Sequence, residues 1–519
     1  MKILMLASEN DALPRGKVGG IGDVIRDLPI ALADTGHSVT VFTPGYQWFS
    51  TQPGTVRLAN FSVAFSGFDN ELSLFQVPAK EPVDGVEHVV IEHPVFGSAG
   101  VGKIYCNDPP DRPFASDGIK FALFSIAAAE ALTRGLLGEF DMVHLHDWHS
   151  ASFATLRQLH PSYRSLQHIP CVYTIHNLAL QGIRPLRDDN SSLSVWFDDA
   201  IDADERIIDP RYPDCYNPMR AAINLCDRVH VVSPSYAEEV MRPSHPEQGF
   251  FGGEGLEQDL LQAQQNNRLV GILNGVDYSS PLGEPIARSE LFHSMIRQMR
   301  DYAAEDQLLQ PVHTLAADRL HEIMQRGDHE KLLLTSVGRV SDQKMLILRQ
   351  RLDDGRFAID AMLDVLADKG CFIMVGNGDV MLEQFLYAAS KRHGNFVFLQ
   401  GFYADIGKRL YENGDLFIMP SSFEPCGISQ MISMRHGQPC LVHGVGGLRD
   451  TVKDGESGFV FTAQGLIPQA HAMLDTLVRA LNILQDDPQK TQCIRQCAAE
   501  QRFTWQAVVP AYLEQLYRG

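Results

Sequence analysis

The sequence predicts an α/β protein built of two Rossmann-like domains, on three observations. Short apolar runs rich in Val, Ile and Leu recur between helix-patterned segments, as parallel strands covered on both faces require. At 519 residues the chain exceeds one hydrophobic core and suits two domains. A polar, helix-patterned interval over 279–331, with Glu, Gln and Arg prominent, interrupts the strand series once. The expected division is 1–278, then 279–495, with C-terminal helices over 496–519 packing back toward the first domain.

The first strand, 2–7, leads into a glycine loop over 16–22. A helix over 23–34 follows, is stopped by Gly36, and gives way to a strand over 37–42. This βαβ opening sets the first parallel sheet, and runs over 141–145, 171–175, 227–232 and 268–273 extend it. Beyond the polar interval, runs over 332–337, 371–375, 395–399, 416–419 and 440–443 build the second sheet. Nearly every run ends in a small or charged cluster: Ser8-Glu9, His146-Asp147, His176-Asn177, Ser233-Pro234, Asn274-Gly275, Gly338-Arg339, Gly376-Asn377 and 421–424. Doubly wound sheets bind ligands at the carboxyl ends of their strands. With two domains facing across a cleft, these clusters line it. Polar turns explain any one cluster equally well, but eight in succession poorly.

Composition excludes several partners. With 64 acidic against 44 basic residues, the net charge of −20 disfavours nucleic acid and anionic membranes. An anionic substrate would have to be met by a few concentrated Lys and Arg residues. Residues 1–7 are short for a signal peptide and run into Glu9 and Asp11. The most apolar window, 121–132, carries Glu130 and is too short to span a bilayer. Nine scattered cysteines fit reduced thiols in the cytoplasm. Cys493 and Cys497 lack the companions of a metal site and read as packing residues.

The stretch from Pro420 to Gln430 carries most of the chemistry. A buried strand breaks at Pro420 and presents a lone carboxylate, Glu424. A Cys426-Gly427 turn then opens a helix, and a second strand empties into Gly446-Gly447. Helix starts offer free N–H groups to phosphate, and a sugar hydroxyl prefers an ionised acceptor. That pairing suggests a nucleotide sugar. Arg339 and Lys344 span a strand-to-helix turn, where both can face one diphosphate at about 1.5–3 kcal/mol per charge-assisted bond. They fit an ordinary solvated pair equally well. The 16–22 loop matches neither the dinucleotide fingerprint nor the P-loop, though it sets Lys17 at the mouth of a helix. His144, His146 and His149 look like a metal cluster, but no completing ligand stands out. Contact of Asp147 and one histidine with polar substrate fits better, and buried structural histidines are the common alternative. No nucleophile elbow or paired carboxylate points to a hydrolase.

Taken together, the motifs at 17–24, 144–149, 173–179, 232–236, 272–277, 423–427 and 446–452 resemble the bacterial glycogen synthase and plant starch synthase family, in order and approximate spacing. The resemblance implies a GT-B fold and a retaining, metal-independent transfer of glucose from ADP-glucose to the 4-OH end of an α-1,4-glucan, without a cofactor. It implies that Lys17, Arg339 and Lys344 hold the diphosphate, with backbone contacts from Gly19, Gly20, Gly446 and Gly447. Glu424 would bind glucose hydroxyls, supported by amides near Gly427 and Ile428. His176 would bond the sugar near the reacting centre, Asp147 would sit on the acceptor side, Asn274 would add a polar contact, and Phe402 would lie against adenine. The chain departs from the family at Ser422, at His443-Gly444-Val445 and at Met345. These departures leave open another nucleotide sugar or acceptor on the same chemistry. A catalytically silent glucan-binding protein is the further alternative, opposed by the joint presence of Lys17, His176, Arg339, Lys344 and Glu424.

Overall fold

The computed structural model describes residues 1–518 apart from 203, 280, 306–309 and 402, with the backbone alone at 302–305 and 404. The chain forms two compact units. The first comprises Met1–Pro243, Gly252–Asp277 and Thr504–Gly519, and the second Ser244–Phe251 and Tyr278–Phe503.

Among the described residues, eleven strands lie in the first unit: β1 (Lys2–Leu6), β2 (Ser38–Pro44), β3 (Val56–Phe65), β4 (Phe68–Gln76), β5 (Val86–Glu92), β6 (Met142–His146), β7 (Cys171–Ile175), β8 (Arg184–Pro185), β9 (Cys215–Tyr216), β10 (Arg228–Val231) and β11 (Leu269–Gly271). Nine of them make one sheet in the order β11-β10-β7-β6-β1-β2-β5-β4-β3. β6 and β7 are buried at every position, which is why they read as unbroken apolar runs. β3 and β4 escape that criterion. They pair antiparallel at the sheet edge with alternating buried and open positions, so their sequence alternates too. The first helix starts at Gly20, inside the glycine loop and three residues ahead of the expected start at 23.

The second unit holds a six-stranded parallel sheet: β12 (Leu332–Val337), β13 (Gly370–Gly376), β14 (Phe396–Gln400), β15 (Leu416–Met419), β16 (Cys440–His443) and β17 (Gly458–Phe461), in the order β14-β13-β12-β15-β16-β17. The interval before β12 forms two helices, Arg288–Glu305 and Pro311–Gln325. Their apolar faces (Leu291, Phe292, Met295 and Leu320 among them) pack on Cys371, Ile373, Val397 and Leu399 of β13 and β14. The interval is thus a layer of the second unit.

The helix Pro488–Glu500 stays with that unit, and the chain returns to the first at Thr504. There Trp505, Val509, Tyr512 and Leu516 complete the core behind β1, β2 and the first helix. Trp505 lies so close to the backbone beside Asn274 that a Cβ on Gly275 would come within 2.6 Å of its ring. No helix among the described residues is long and apolar enough to cross a membrane.

Candidate active site

In the second unit the chemistry gathers where β12, β15 and β16 end. Glu424 is 8% exposed. Its Oε2 takes a 2.6 Å contact from Lys344 Nζ and a 2.9 Å hydrogen bond from the Ser421 hydroxyl. The amide of Gly447 donates to the Glu424 carbonyl at 3.0 Å, tying the Gly446-Gly447 turn to the same residue. Glycine is required at 447, because a Cβ there would sit 2.1 Å from the Cys426 carbonyl oxygen. Gly446 and Gly427 adopt left-handed φ of 43° and 73°, conformations open to glycine at little cost. Gly427 and Ile428 lead directly into the helix Ser429–Arg435. Arg339 is exposed on the loop after β12, one residue before Val340, whose amide donates to the Asn377 carbonyl at 2.8 Å. Sequence reasoning joined Lys344 to Arg339 as a diphosphate pair; here Lys344 also pairs with Glu424.

The residues that depart from the family pattern have structural work. Ser422 donates its amide and hydroxyl to the Gln343 carbonyl at 2.8 and 3.1 Å, while the Gln343 side chain donates to the Phe423 carbonyl at 2.8 Å. His443 meets the Ser421 carbonyl through Nδ1 at 3.0 Å and stacks on Phe461. Burial lowers its pKa to about 4, so it is neutral. Both residues brace the backbone that presents Glu424.

In the first unit the glycine loop is held from within. Glu9, 2% exposed, accepts the amides of Val18 and Gly19 on Oε2 at 2.8 and 2.6 Å, and the Tyr105 hydroxyl on Oε1 at 2.7 Å. The Gly19 amide, expected to contact phosphate, is here bonded by a carboxylate, because Glu9, three residues beyond β1, reaches the loop. Lys17 pairs with Asp23 at 2.6 Å, and Gly20 begins the helix. Glu9 was visible in the sequence only as a polar strand end.

Asp147 opens the helix Asp147–Leu159 with a left-handed φ of 53°, uncommon for a residue bearing a side chain. Its Oδ1 accepts the His176 and Asn177 amides at 2.6 and 3.4 Å, so the ends of β6 and β7 are laced together. Burial raises its pKa to about 7 against the pull of those two amides. His176 pairs with His146 at 3.0 Å through Nε2 and Nδ1, and burial lowers the His176 pKa to about 3. Asn274 has its Oδ1 buried without a hydrogen-bond partner, as has Nε2 of His146. Behind them runs a chain whose proton positions follow from its end. His230 Nε2 faces the Ile272 carbonyl at 3.0 Å and must donate. Its Nδ1 then accepts the Thr174 hydroxyl at 2.9 Å. The Thr174 oxygen accepts from His144 Nε2 at 2.6 Å, and His144 Nδ1 accepts the Tyr517 hydroxyl at 2.8 Å. His144 is therefore a structural residue that anchors the C-terminal segment, and His149 is buried against Tyr105, Phe121 and Trp148.

Among the described residues no group of three or more His, Cys, Asp or Glu side chains is arranged to hold a metal ion. Phe402 lies outside the described residues.

Comparison with known proteins agrees over the whole chain. Residues 2–262 match the starch synthase catalytic domain family, and residues 343–482 match the group 1 glycosyl transferases. The chain is 31% identical to glycogen synthase of Streptococcus equi subsp. equi (strain 4047), over all of both proteins. It is 28% identical to that of Hydrogenobaculum sp. (strain Y04AAS1), over 99% of this chain and 98% of the relative. The catalytic domain of starch synthase IV from Arabidopsis thaliana, solved bound to ADP and acarbose, superimposes with a TM-score of 0.75 at 25% identity, covering 100% of this chain and 98% of that one.

Proposed function

We propose that this chain, which belongs to the glycogen and starch synthase family, moves glucose from ADP-glucose to the 4-OH end of an α-1,4-glucan, with retention and without a metal. It is a glycosyltransferase of GT-B fold. The observation that carries the reading is Glu424, a nearly buried carboxylate held between the Lys344 ammonium and the Ser421 hydroxyl and tied by its backbone to the Gly446-Gly447 turn. A carboxylate so fixed can accept hydroxyls of a glucose ring, while the cation beside it meets charge on a departing diphosphate.

The reaction suits a front-face substitution. The bond from the anomeric carbon to the diphosphate breaks as the bond to the acceptor oxygen forms, and the acceptor proton passes to the leaving phosphate. Lys344 and Arg339 offset the charge that develops on the diphosphate; within the first unit, Lys17 and the loop at Gly19 and Gly20 are the residues suited to phosphate. Once Glu9 keeps the Gly19 amide, Gly20 at the helix start is the better phosphate contact. Neutral His176 offers a ring nitrogen to a sugar hydroxyl. Asp147 and Asn274 serve the acceptor side, where the unpartnered Asn274 oxygen awaits a donor. A cytoplasmic site of action fits the nine free thiols.

Purified protein given ADP-glucose and glycogen should release ADP and lengthen the glucan. No turnover with any glucan acceptor would sink the reading. The alternative of a second donor rests on the departures from the family pattern at Ser422 and at His443-Gly444-Val445. A thermal-shift series with ADP-, UDP- and GDP-glucose separates the two, since ligand at 100 times its dissociation constant stabilises by about 2.7 kcal/mol.

A further inference from the structure

We infer that the helix Pro311–Gln325 is a brace for the nucleoside end of the donor site, and that His313 is the positioning residue through which it acts. The inference rests on the reading of the second unit as the donor side. It starts from strand order. Glu424 and Gly446-Gly447 follow β15 and β16 on one side of β12, and Arg339 and Lys344 follow β12 itself. A nucleotide sugar laid along these strand ends, with glucose at Glu424 and diphosphate at β12, extends its nucleoside the other way, over β13 and β14. Two strand spacings, about 10 Å, separate β12 from β14.

At that end the loops are wired together, and the wire begins on the helix. His313 is 5% exposed, and its Nδ1 accepts the Gln310 amide at 3.3 Å in the helix's capping box. The proton therefore resides on Nε2, which donates to the carbonyl of Gln400, the last residue of β14, at 3.1 Å. The Tyr403 hydroxyl donates to the same carbonyl at 3.2 Å. The Gln400 side chain donates to Glu383 Oε2 at 2.7 Å, and Glu383 Oε1 accepts the Gly378 amide at 2.7 Å. Gly378 bridges to Val340, next to Arg339. One path of hydrogen bonds thus connects His313 to the loops after β14, β13 and β12. The helix itself comes from the polar interval over 279–331.

The test is ADP titration of the full-length protein by calorimetry, alongside initial rates with ADP-glucose and glycogen. His313→Ala should weaken ADP binding and raise the KM for ADP-glucose by about three- to tenfold, the range of one hydrogen bond. Turnover and the KM for glycogen should stay within about twofold, and the preference for ADP over UDP should narrow. His313→Gln, which keeps a donor, should recover most of the loss. Glu383→Gln, one bond further along, should reproduce the loss and serves if His313→Ala does not fold. ADP affinity unchanged in both His313→Ala and Glu383→Gln would overturn the brace, as would a defect confined to glycogen. Wild-type protein that binds ADP but transfers no glucose would instead overturn the function reading, leaving the brace to be decided by the titration.

Discussion

Acid should unfold this protein before its ordinary carboxylates titrate. His144, His146, His149, His176 and His230 lie in the first unit, each held below the usual 6.5 chiefly by burial. The tautomer chain adds a local reason for His144 and His230, whose ring nitrogens are all committed. As pH falls through 6.5, the unfolded chain binds a proton at each of the five and the folded chain does not, so stability falls with pH. From pH 7.5 to 5.5 each such histidine removes about 1.4 kcal/mol, about 7 kcal/mol for the five. Asp147 acts in the opposite sense. Its pKa is raised from 3.8 to about 7, so over the same interval it gains a proton only when folded, returning about 2 kcal/mol. The net loss, about 5 kcal/mol, is comparable with the whole stability of many proteins. Urea unfolding at pH 7.5, 6.5 and 5.5, followed by circular dichroism and tryptophan fluorescence, reads it directly. Midpoints should fall mostly between pH 6.5 and 5.5. Midpoints that stay level or rise across the interval would refute the reasoning.

Three further outcomes follow from single contacts. Activity should climb as Asp147 ionises through pH about 7, because its carboxylate form laces the His176 and Asn177 amides; Asp147→Asn, compatible with left-handed φ, should flatten that limb of the pH–rate profile. Lys344→Met leaves Glu424 with Ser421 alone on its Oε2 and removes a cation proposed to meet the diphosphate, so kcat for ADP release should drop about 10²–10³-fold. Gly447→Ala forces a Cβ against the Cys426 backbone, costing about 1–3 kcal/mol by overpacking. It should abolish transfer while leaving far-UV circular dichroism intact.

The parts of the fold legible in the sequence were those whose physics is local. β6, β7 and β13 are buried along their whole length, so each reads as an uninterrupted apolar run. β3 and β4 sit half open at an edge and read like a surface segment. The expected turn toward the first domain at 496 depended on where helix-patterned sequence resumed. In the structure Pro488–Glu500 continues the second unit, with Ile494 and Ala498 in its cores, and the chain turns at Thr504. Helical periodicity reports an apolar face but not which sheet receives it.

The site divides the same way. Asp147, His176 and Asn274 in the first unit, and Arg339 and Glu424 in the second, follow strand ends, where parallel sheets bind ligands. What holds them was hidden, since Glu9 reaches the glycine loop only in three dimensions and His144 meets Tyr517 across 373 residues. Ser422 and His443 sharpen the point. In the sequence they look like departures that leave another nucleotide sugar or acceptor open. In the structure Ser422 ties the segment that presents Glu424 to the Gln343 carbonyl, and His443 meets the Ser421 carbonyl of that segment; substitutions that support a carboxylate's backbone preserve its geometry while altering the charge around it. On the proposed reading, that combination keeps Glu424 placed for glucose and moves any change of specificity to the diphosphate and the base.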